Sequence, residues 1–396
     1  MNEKQTLKIN PLLIFLVCYL AYTSIYVARV NLSMASPGFI SENILTQEQV
    51  GMIGSVFFVV YALGRIINGF IGDKTAPWIM ISVGLVLAGL SNLIIGIQPV
   101  FVTLLLLWGT NAYAQSMLWS SVVRVVSEIY PPEKAKKMMS LMVTSVAGGN
   151  IIGILLNTVF INQMGLRFAF VIPGAILLFF CLAAVLTVRH VTCVEIQQQN
   201  HLPIRQLIGH KDLKTMLFPA VFHGMIKDNI SLWMTLFFMD QYGIDLEASA
   251  AFVLFIPAVG FLGRIAFPFL YKLNKEKEYT LAFRAFLLCV AASVLLLVKA
   301  LPPVAALIAL SLIYAAISVI NTVFLSYFPL QFAASGNQSS VSGIMDFFTY
   351  GGAGIGSLAF GFIVARFGYS AMFLTYAAVS ALSLIWMRKM MQGEAN

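Results

Sequence analysis

Four basic residues lie inside long apolar stretches of this sequence, where an ionised side chain needs a partner. Arg29 and Lys227 occupy corresponding places in the two halves of the chain. Arg65 and Arg264 repeat this pattern within a matching Gly-Arg-Ile triplet. An ionised side chain at the centre of a membrane helix costs about 2.5–3.5 kcal/mol on insertion scales. The four cations therefore predict a shared aqueous cavity in which they bind an anion.

Tyrosine side chains accompany the basic residues of the first half. Tyr22, Tyr26 and Arg29 are spaced i, i+4 and i+7, which places all three on one face of a helix. Tyr61 and Arg65 have the same i, i+4 spacing. A guanidinium fork flanked by neutral hydroxyl donors suits the bidentate binding of a phosphate or a carboxylate. We therefore predict that these residues bind an anionic solute.

The second half adds a histidine and two acids. His223 lies one turn before Lys227, where it either hydrogen-bonds the solute or packs against a neighbouring helix. Asp228 follows Lys227 and leaves the helix about 100° away, so it need not neutralise the ammonium group. Asp346 either pairs with Lys227 or Arg264 in the empty site, which we favour, or acts as a protonatable coupling group. We assign His223, Lys227 and Arg264 to solute binding, and Asp346 and Asp228 to coupling or charge balance.

Membrane-spanning helices must position these residues. The chain has 396 residues, of which 60% are hydrophobic and 10% are charged, too little polar surface for a soluble protein of this size. Apolar stretches of about 20 residues, the length of one bilayer crossing, recur throughout. The sequence predicts an all-α integral membrane protein with twelve spans: 11–35, 47–72, 77–97, 100–126, 137–162, 168–188, 214–239, 248–271, 280–298, 303–327, 339–364 and 369–387.

An internal repeat divides these spans into two pseudo-symmetric halves of six. We predict an N-terminal bundle, 1–190, a polar cytoplasmic linker, 191–213, and a C-terminal bundle, 214–396. Tyr130-Pro131 and Phe328-Pro329 recur in the same order as the basic residues and the Gly-Arg-Ile triplets. A parallel repeat of six helices is typical of transporters that work by alternating access.

The net charge of +8 follows the predicted topology and excludes a nucleic-acid surface. Most Lys and Arg lie in alternate connections, from Lys4 and Lys74 to Lys134 and Arg388. By the positive-inside rule, both termini are predicted to be cytoplasmic. We expect an uncleaved first helix and, in a prokaryote, the inner membrane.

Cysteine and histidine usage argues against an enzyme. The four cysteines and four histidines lack the spacing of a metal site or of a disulfide framework. The sequence shows neither a nucleophile–base set nor a nucleotide-binding loop. We therefore expect no enzyme activity, no cofactor and no metal.

Glycines mark two further features. Gly69, Asp73 and Lys74 lie in a segment that resembles the loop signature of the major facilitator superfamily, G-x-x-x-D-R/K. There Asp73 would lie near a helix N-terminus in the other half and, as a gating latch, stabilise the outward-facing state through the helix dipole. The runs Gly148-Gly149 and Gly351-Gly352 let helix backbones approach closely, in either a sliding interface between the halves or a static packing.

The run from Tyr22 to Asn31, followed by Tyr61 and Arg65, resembles the organophosphate:phosphate antiporter family, which includes the glycerol-3-phosphate and hexose-phosphate exchangers. The resemblance implies that Arg29 and Lys227 bind a phosphoryl group and that Arg65 is the helix-two cation. Helix eleven, from Gly343 to Gly352, is also similar.

Three positions depart from that family. It usually has arginine where this chain has Lys227, which loses the bidentate fork. Its helix-five histidine corresponds to Ser145, and its helix-eight acid corresponds to the apolar Ile256. These departures leave the identity of the solute open.

Three alternatives remain. Arg29-Val30-Asn31-Leu32-Ser33 is also similar to the anion:cation symporter family, whose helix-four acid corresponds here to Gln115, which cannot titrate. A transporter-shaped anion sensor and an intramembrane enzyme are the others. We predict a monomeric secondary transporter whose partners are a small organic anion, phosphorylated or otherwise strongly anionic, and the lipid bilayer. It would exchange that anion against phosphate or another anion by alternating access.

Overall fold

The structure is a computed structural model that describes residues 9–191, 207, 209–274, 277–298, 300–332 and 338–394. Within these ranges the secondary structure is entirely helical. The predicted linker, 191–213, lies largely outside the described residues, as does Lys4.

The first half of the chain forms seven helices, because one predicted span is divided. The fourth predicted span, 100–126, breaks after Ser116 into two shorter helices. The bounds are α1 (Pro11–Ser41), α2 (Gln47–Lys74), α3 (Pro77–Ile97), α4 (Phe101–Ser116), α5 (Leu118–Ile129), α6 (Pro132–Met164) and α7 (Phe168–Val188).

The second half ends in one very long helical element. Its two arms meet at Gly368, whose φ of 75° is a backbone conformation that favours glycine. The tenth span ends in a π-helical turn, Val323–Tyr327. The bounds are α8 (Lys211–Tyr242), α9 (Leu246–Leu273), α10 (Glu278–Leu295), α11 (Pro303–Thr322), α12 (Phe328–Leu330) and α13 (Gln338–Glu394).

The predicted twelve-span, all-α architecture is confirmed. Among the described residues, nine helical segments are long and apolar enough to cross a bilayer. One of them, Ser340–Gln392, has 53 residues, or about 80 Å of helix, enough for the two predicted crossings on either side of Gly368. The remaining spans are α4 with α5, which is interrupted, and α8, which carries charged residues in its interior.

The chain divides into two compact units. One comprises Met1–Phe39 with Leu63–Gln197, and the other comprises Ile40–Ala62 with Gln198–Asn396. The break at 197 falls inside the predicted linker. Residues 40–62, the end of α1 and the first part of α2, pack with the C-terminal half. The predicted domain boundaries stay a prediction.

In the first unit, glycines allow α6 to pack directly on α1. A Cβ atom at Gly149 would lie 2.6 Å from the carbonyl oxygen of Thr23 and 2.6 Å from Cβ of Tyr26. A Cβ atom at Gly153 would lie 2.9 Å from Cα of Val27. These distances are too short for any larger residue, so the two helices meet backbone to backbone.

In the second unit, α13 packs on α8 in the same manner. A Cβ atom at Gly352 would overlap the carbonyl oxygen of Val221, and one at Gly356 would lie 3.0 Å from Cα of Met225. Gly149 and Gly352 therefore serve close packing inside a unit, the second of the two interpretations that the sequence allowed.

Candidate functional site

The predicted cluster on α1 lies on one face of the helix in the first unit. The guanidinium carbon of Arg29 lies 5.5 Å from the ring centroid of Tyr26, within cation–π range. The rings of Tyr22 and Tyr26 are 5.5 Å apart in an edge-on arrangement. Tyr26 and Arg29 are partly exposed, whereas Tyr22 is buried. The structure thus brings together the three α1 residues that the i, i+4, i+7 spacing selected.

A tryptophan extends this aromatic row. The ring of Trp119, on α5, lies 5.2 Å from that of Tyr22. Sequence reasoning did not include Trp119 among the site residues. In the sequence Trp119 is a single aromatic residue four positions after Gln115, and a single aromatic residue in an apolar stretch is more typical of core packing.

Lys227, on α8, has two neighbours in the second unit. Its Nζ lies 3.4 Å from Oδ2 of Asp228 and 4.8 Å above the ring centroid of Tyr350, which belongs to α13. Both members of the ion pair are largely buried, with 15% and 22% of their side-chain surface exposed. A buried ammonium group in this setting is stabilised by the carboxylate and by the electron-rich face of the ring.

The pairing with Asp228 differs from the sequence expectation. Adjacent residues on a helix diverge by about 100°, from which we expected Asp228 not to neutralise Lys227. The long lysine side chain spans this angle, and the two groups form an ion pair. The assignment of Asp228 to charge balance is consistent with this contact.

Tyr61 is connected to Lys227 through the ring of Tyr350. The ring centroids of Tyr61 and Tyr350 are 4.7 Å apart, and Tyr61 lies in the part of α2 that packs within the second unit. Lys227, Tyr350 and Tyr61 therefore form one contact chain. Tyr350 was singled out only as part of a helix-eleven resemblance, because nothing in its local spacing linked it to a cation.

His223 is fully buried between α8 and α11. Its Nε2 lies 3.2 Å from the carbonyl oxygen of Ile317, and its ring meets that of Phe324 edge-on at 5.6 Å. These contacts fit the packing interpretation of this histidine. Its predicted role in solute binding stays a prediction.

Arg65, Arg264 and Asp346 are partly buried, and their predicted roles also stay predictions. The structure does explain the glycine in the repeated Gly-Arg-Ile triplet. A Cβ atom at Gly64 would meet Ser116 and Tyr113 of α4, and one at Gly263 would lie 3.1 Å from the carbonyl oxygen of Ala315 on α11. In both halves the glycine permits close helix packing beside the arginine.

The predicted latch lies only partly within the described residues. Gly69, Asp73 and Lys74 belong to the last turns of α2, but the side chains of Asp73 and Lys74 lie outside the described part of the structure. Arg124 of α5 donates from its guanidinium to the carbonyl oxygens of Gly72 and Thr75. A cation placed on the last carbonyls of a helix stabilises that helix end.

Two solved structures share this fold. The chain is similar to a bacterial homologue of the human lysosomal transporter Spinster (TM-score 0.75, 17% identity, covering 95% of this chain and 94% of that one). It is also similar to a mutant form of the nucleoside transporter NupG (TM-score 0.80, 12% identity, covering 96% and 99%). At these identities the likeness shows the fold alone.

Sequence relatives are transport and sensor proteins. A "Probable hexose phosphate transport protein" of Chlamydia trachomatis is 28% identical over 163 residues, 41% of this chain and 36% of that protein. The "Membrane sensor protein UhpC" of Escherichia coli is 22% identical over 278 residues, 64% and 62% of the two chains. The mouse "Glucose-6-phosphate exchanger SLC37A2" is 31% identical over 137 residues, 33% and 27%. These matches span less than two thirds of each relative.

A family model settles the wider relationship. The model of the Major Facilitator Superfamily matches residues 18–354, most of the chain. The relatives and structural neighbours are transporters or sensors and not enzymes, and several are named for phosphorylated solutes. The chain is therefore a multi-pass membrane protein that belongs to the Major Facilitator Superfamily, and it resembles the organophosphate:phosphate antiporter family within it.

Proposed function

We propose that this protein is a secondary transporter that exchanges a phosphorylated organic anion against phosphate or another anion by alternating access. Arg29 and Lys227 would each bind the anion, and Tyr22, Tyr26 and Tyr61 would orient it. We further propose that the protein acts as a monomer in a cytoplasmic membrane with both termini in the cytoplasm.

The observation that carries this proposal is the ion pair of Lys227. An ammonium group inside an apolar helix needs a counter-charge, and Asp228 supplies one from 3.4 Å. A carboxylate on the adjacent residue is an internal substitute that an incoming anion can displace. Such a pair supports a cation that is stable in the empty protein and available to the solute.

Arg29 supports the same function in the other unit. It lies at the position that corresponds to Lys227 in the repeat and also has a tyrosine ring beside it. Its planar guanidinium offers a bidentate fork, whereas Lys227 offers a point charge. One of each suits a phosphoryl group that is esterified at one oxygen, and the phosphate transporters among the relatives favour that solute class.

Exchange is favoured over proton symport. Gln115 occupies the helix-four position where the symporter family has an acid, and an amide does not titrate. Like charges repel, so the protein would reorient slowly around its four predicted cations when no anion is bound. A bound anion offsets that cost in both directions, which leads to obligatory exchange.

A sensor is the second candidate. The match to UhpC, which is named a sensor, extends over 278 residues, against 163 for the hexose phosphate relative. A sensor would bind the same anion without moving it.

Reconstitution into proteoliposomes tests these functions. Vesicles loaded with phosphate should take up labelled phosphate and one or more organophosphates, and empty vesicles should take up little. Uptake that does not depend on an anion inside the vesicles but is driven by a proton gradient would favour the symporter. Saturable binding without uptake would favour the sensor. Failure to bind phosphate, organophosphates, carboxylates or sulfonates would overturn the proposal.

A further inference from the structure

A buried asparagine follows each of the two central cations by two residues. Asn31 follows Arg29 on α1, and Asn229 follows Lys227 on α8. Both asparagines have 0% exposure. Two residues along a helix correspond to a rotation of about 200°, so each amide leaves its helix on the side away from the cation.

Asn31 ties α1 to two other helices of the first unit. Its Nδ2 donates to Oδ1 of Asn92 on α3 at 2.8 Å. Nδ2 of Asn92 in turn donates to Oδ1 of Asn111 on α4 at 3.5 Å. The same oxygen accepts a 3.2 Å hydrogen bond from Nε2 of Gln115. All four amides are buried. They form a relay that fixes the rotation of α1 against α3 and α4.

The last residue of this relay, Gln115, is close in the chain to a residue that packs on the Arg29 face of α1. Gln115, near the end of α4, precedes Trp119 of α5 by four residues, and the ring of Trp119 contacts Tyr22. The relay therefore bonds α1 on the side away from Arg29, and α5, which follows its last member in the chain, carries the ring that contacts Tyr22. This geometry opposes a rotation of α1 that would turn Arg29 away.

Asn229 bonds α8 to α13 in the second unit. Its Nδ2 donates to the carbonyl oxygen of Ala353 on α13 at 3.0 Å. Ala353 lies about one turn after Tyr350, the residue whose ring lies below Lys227. The amide thus fixes α8 against the helix that supplies the aromatic neighbour of its cation.

Two polar atoms of the relay have no hydrogen-bond partner within the part of the protein that the structure describes. Among the described residues, Nδ2 of Asn111 and Oε1 of Gln115 are buried polar atoms without a hydrogen-bond partner. A partly satisfied network costs more than an apolar core of similar shape.

We propose that Asn31 and Asn229 are positioning residues, which fix the rotation of α1 and α8 so that Arg29 and Lys227 project toward the solute. The inference deepens the proposed function and rests on it for its biological meaning. The orientation itself is measurable without transport.

The first test labels position 29 with a charged methanethiosulfonate reagent. An Arg29→Cys protein is made in a Cys193→Ser background. The other three cysteines, Cys18, Cys181 and Cys289, are buried and are left in place. Adding Asn31→Leu should slow labelling about tenfold, since the thiol turns away from water. The control is Asn68→Leu, which removes another fully buried amide, bonded to Ser116 at 2.7 Å instead of to α1. Equal labelling with Asn31→Leu and Asn68→Leu would overturn the inference.

The second test measures phosphate exchange in proteins with all cysteines intact. Asn31→Leu and Asn229→Leu should each raise KM for phosphate about tenfold, and Asn68→Leu should change it much less. If the leucine variants do not fold, Asn31→Ser and Asn229→Ser replace them. If these also fail, the amides are folding elements and the inference is wrong. A labelling change in a protein whose wild type binds no anion would instead reject the proposed function and keep the positioning role.

Discussion

The surroundings of Arg29 and Lys227 are built in different ways. The ring beside Arg29 belongs to Tyr26, one turn earlier on the same helix. The ring below Lys227 belongs to Tyr350, more than a hundred positions later on α13. Lys227 also has a carboxylate 3.4 Å away. Local helix spacing is sufficient for the first arrangement, whereas the second depends on the packing of α8 against α13.

The largest expected effect on stability comes from disrupting the backbone contacts of α6 with α1 and of α13 with α8. Gly149→Ala and Gly352→Ala would push a methyl group into the carbonyl oxygens of Thr23 and Val221. Each should lower the free energy of unfolding by about 1–3 kcal/mol, measured by denaturation in detergent.

The adjacent glycines provide a matched control. No heavy atom outside the local helix lies within 4 Å of a Cβ atom placed at Gly148 or Gly351. Gly148→Ala and Gly351→Ala should therefore be neutral, or stabilising by about 0.4–1 kcal/mol. Equal destabilisation by all four substitutions would contradict the packing described for α1 with α6 and for α8 with α13.

Removing the internal counter-ion should sharpen the contrast between the two cations. In Asp228→Asn the solute no longer competes with a carboxylate for Lys227, so KM for phosphate should fall about tenfold. Thermal stability should fall as well, because the buried ammonium group loses its partner. Asp245→Asn is the control, since Asp245 caps α9 through a 2.8 Å bond from the backbone N–H of Ala248. An unchanged or higher KM in Asp228→Asn would show that the pair does not compete with the solute.

A smaller effect is expected from the aromatic ring below Lys227. Tyr350→Leu removes the cation–π contact, worth about 0.5–1 kcal/mol, and should raise KM for phosphate about threefold. Tyr350→Phe keeps the ring and should behave like the wild type. If the phenylalanine variant is impaired as much as the leucine variant, the hydroxyl group of Tyr350 matters and the ring does not.

The smallest effect is expected from Asp240, which lies just beyond the predicted span, near the end of α8. The residue as a whole is exposed, but partial burial of its carboxylate raises its pKa above the usual 3.8, against hydrogen bonds from Tyr369 at 2.9 Å and Gln47 at 3.2 Å. The folded state thus holds this proton more tightly than the unfolded state. Stability should fall slightly as the pH rises from 3.8 through the raised pKa, and then level off.

Melting curves between about pH 4 and pH 7 provide the measurement for Asp240. Asp240→Asn should remove the part of the pH dependence that comes from this group. A wild-type melting temperature that rises across the same window, with the rise lost in the variant, would mean that the pKa is lowered instead.

The sequence predicts most of the fold because hydropathy alone reports bilayer crossings. It places the helices that carry Arg29 and Lys227, and it finds Tyr22 and Tyr26 because helix periodicity relates them to Arg29. It does not find the break at Met117, since the apolar stretch continues through it. The interruption is a single residue, Met117, with φ −74° and ψ −25°, and hydropathy does not report so local a change.

Long-range contacts explain what was missed at the site. Tyr350 becomes significant only when α13 packs on α8, and the pairing of Asp228 depends on the reach of the lysine side chain. The buried amides carried a readable signal, because Asn31 and Asn229 each follow a cation by two residues in apolar helices. That signal gains a meaning only once their hydrogen-bond partners are known.

Phosphate self-exchange in proteoliposomes tests most directly the claim that Arg29 and Lys227 bind the transported anion. Arg29→Gln and Lys227→Gln should each abolish exchange while the protein remains folded. Arg366→Gln, which removes an exposed arginine 3.6 Å from Glu48, should retain it. Full exchange in both Arg29→Gln and Lys227→Gln would contradict the claim.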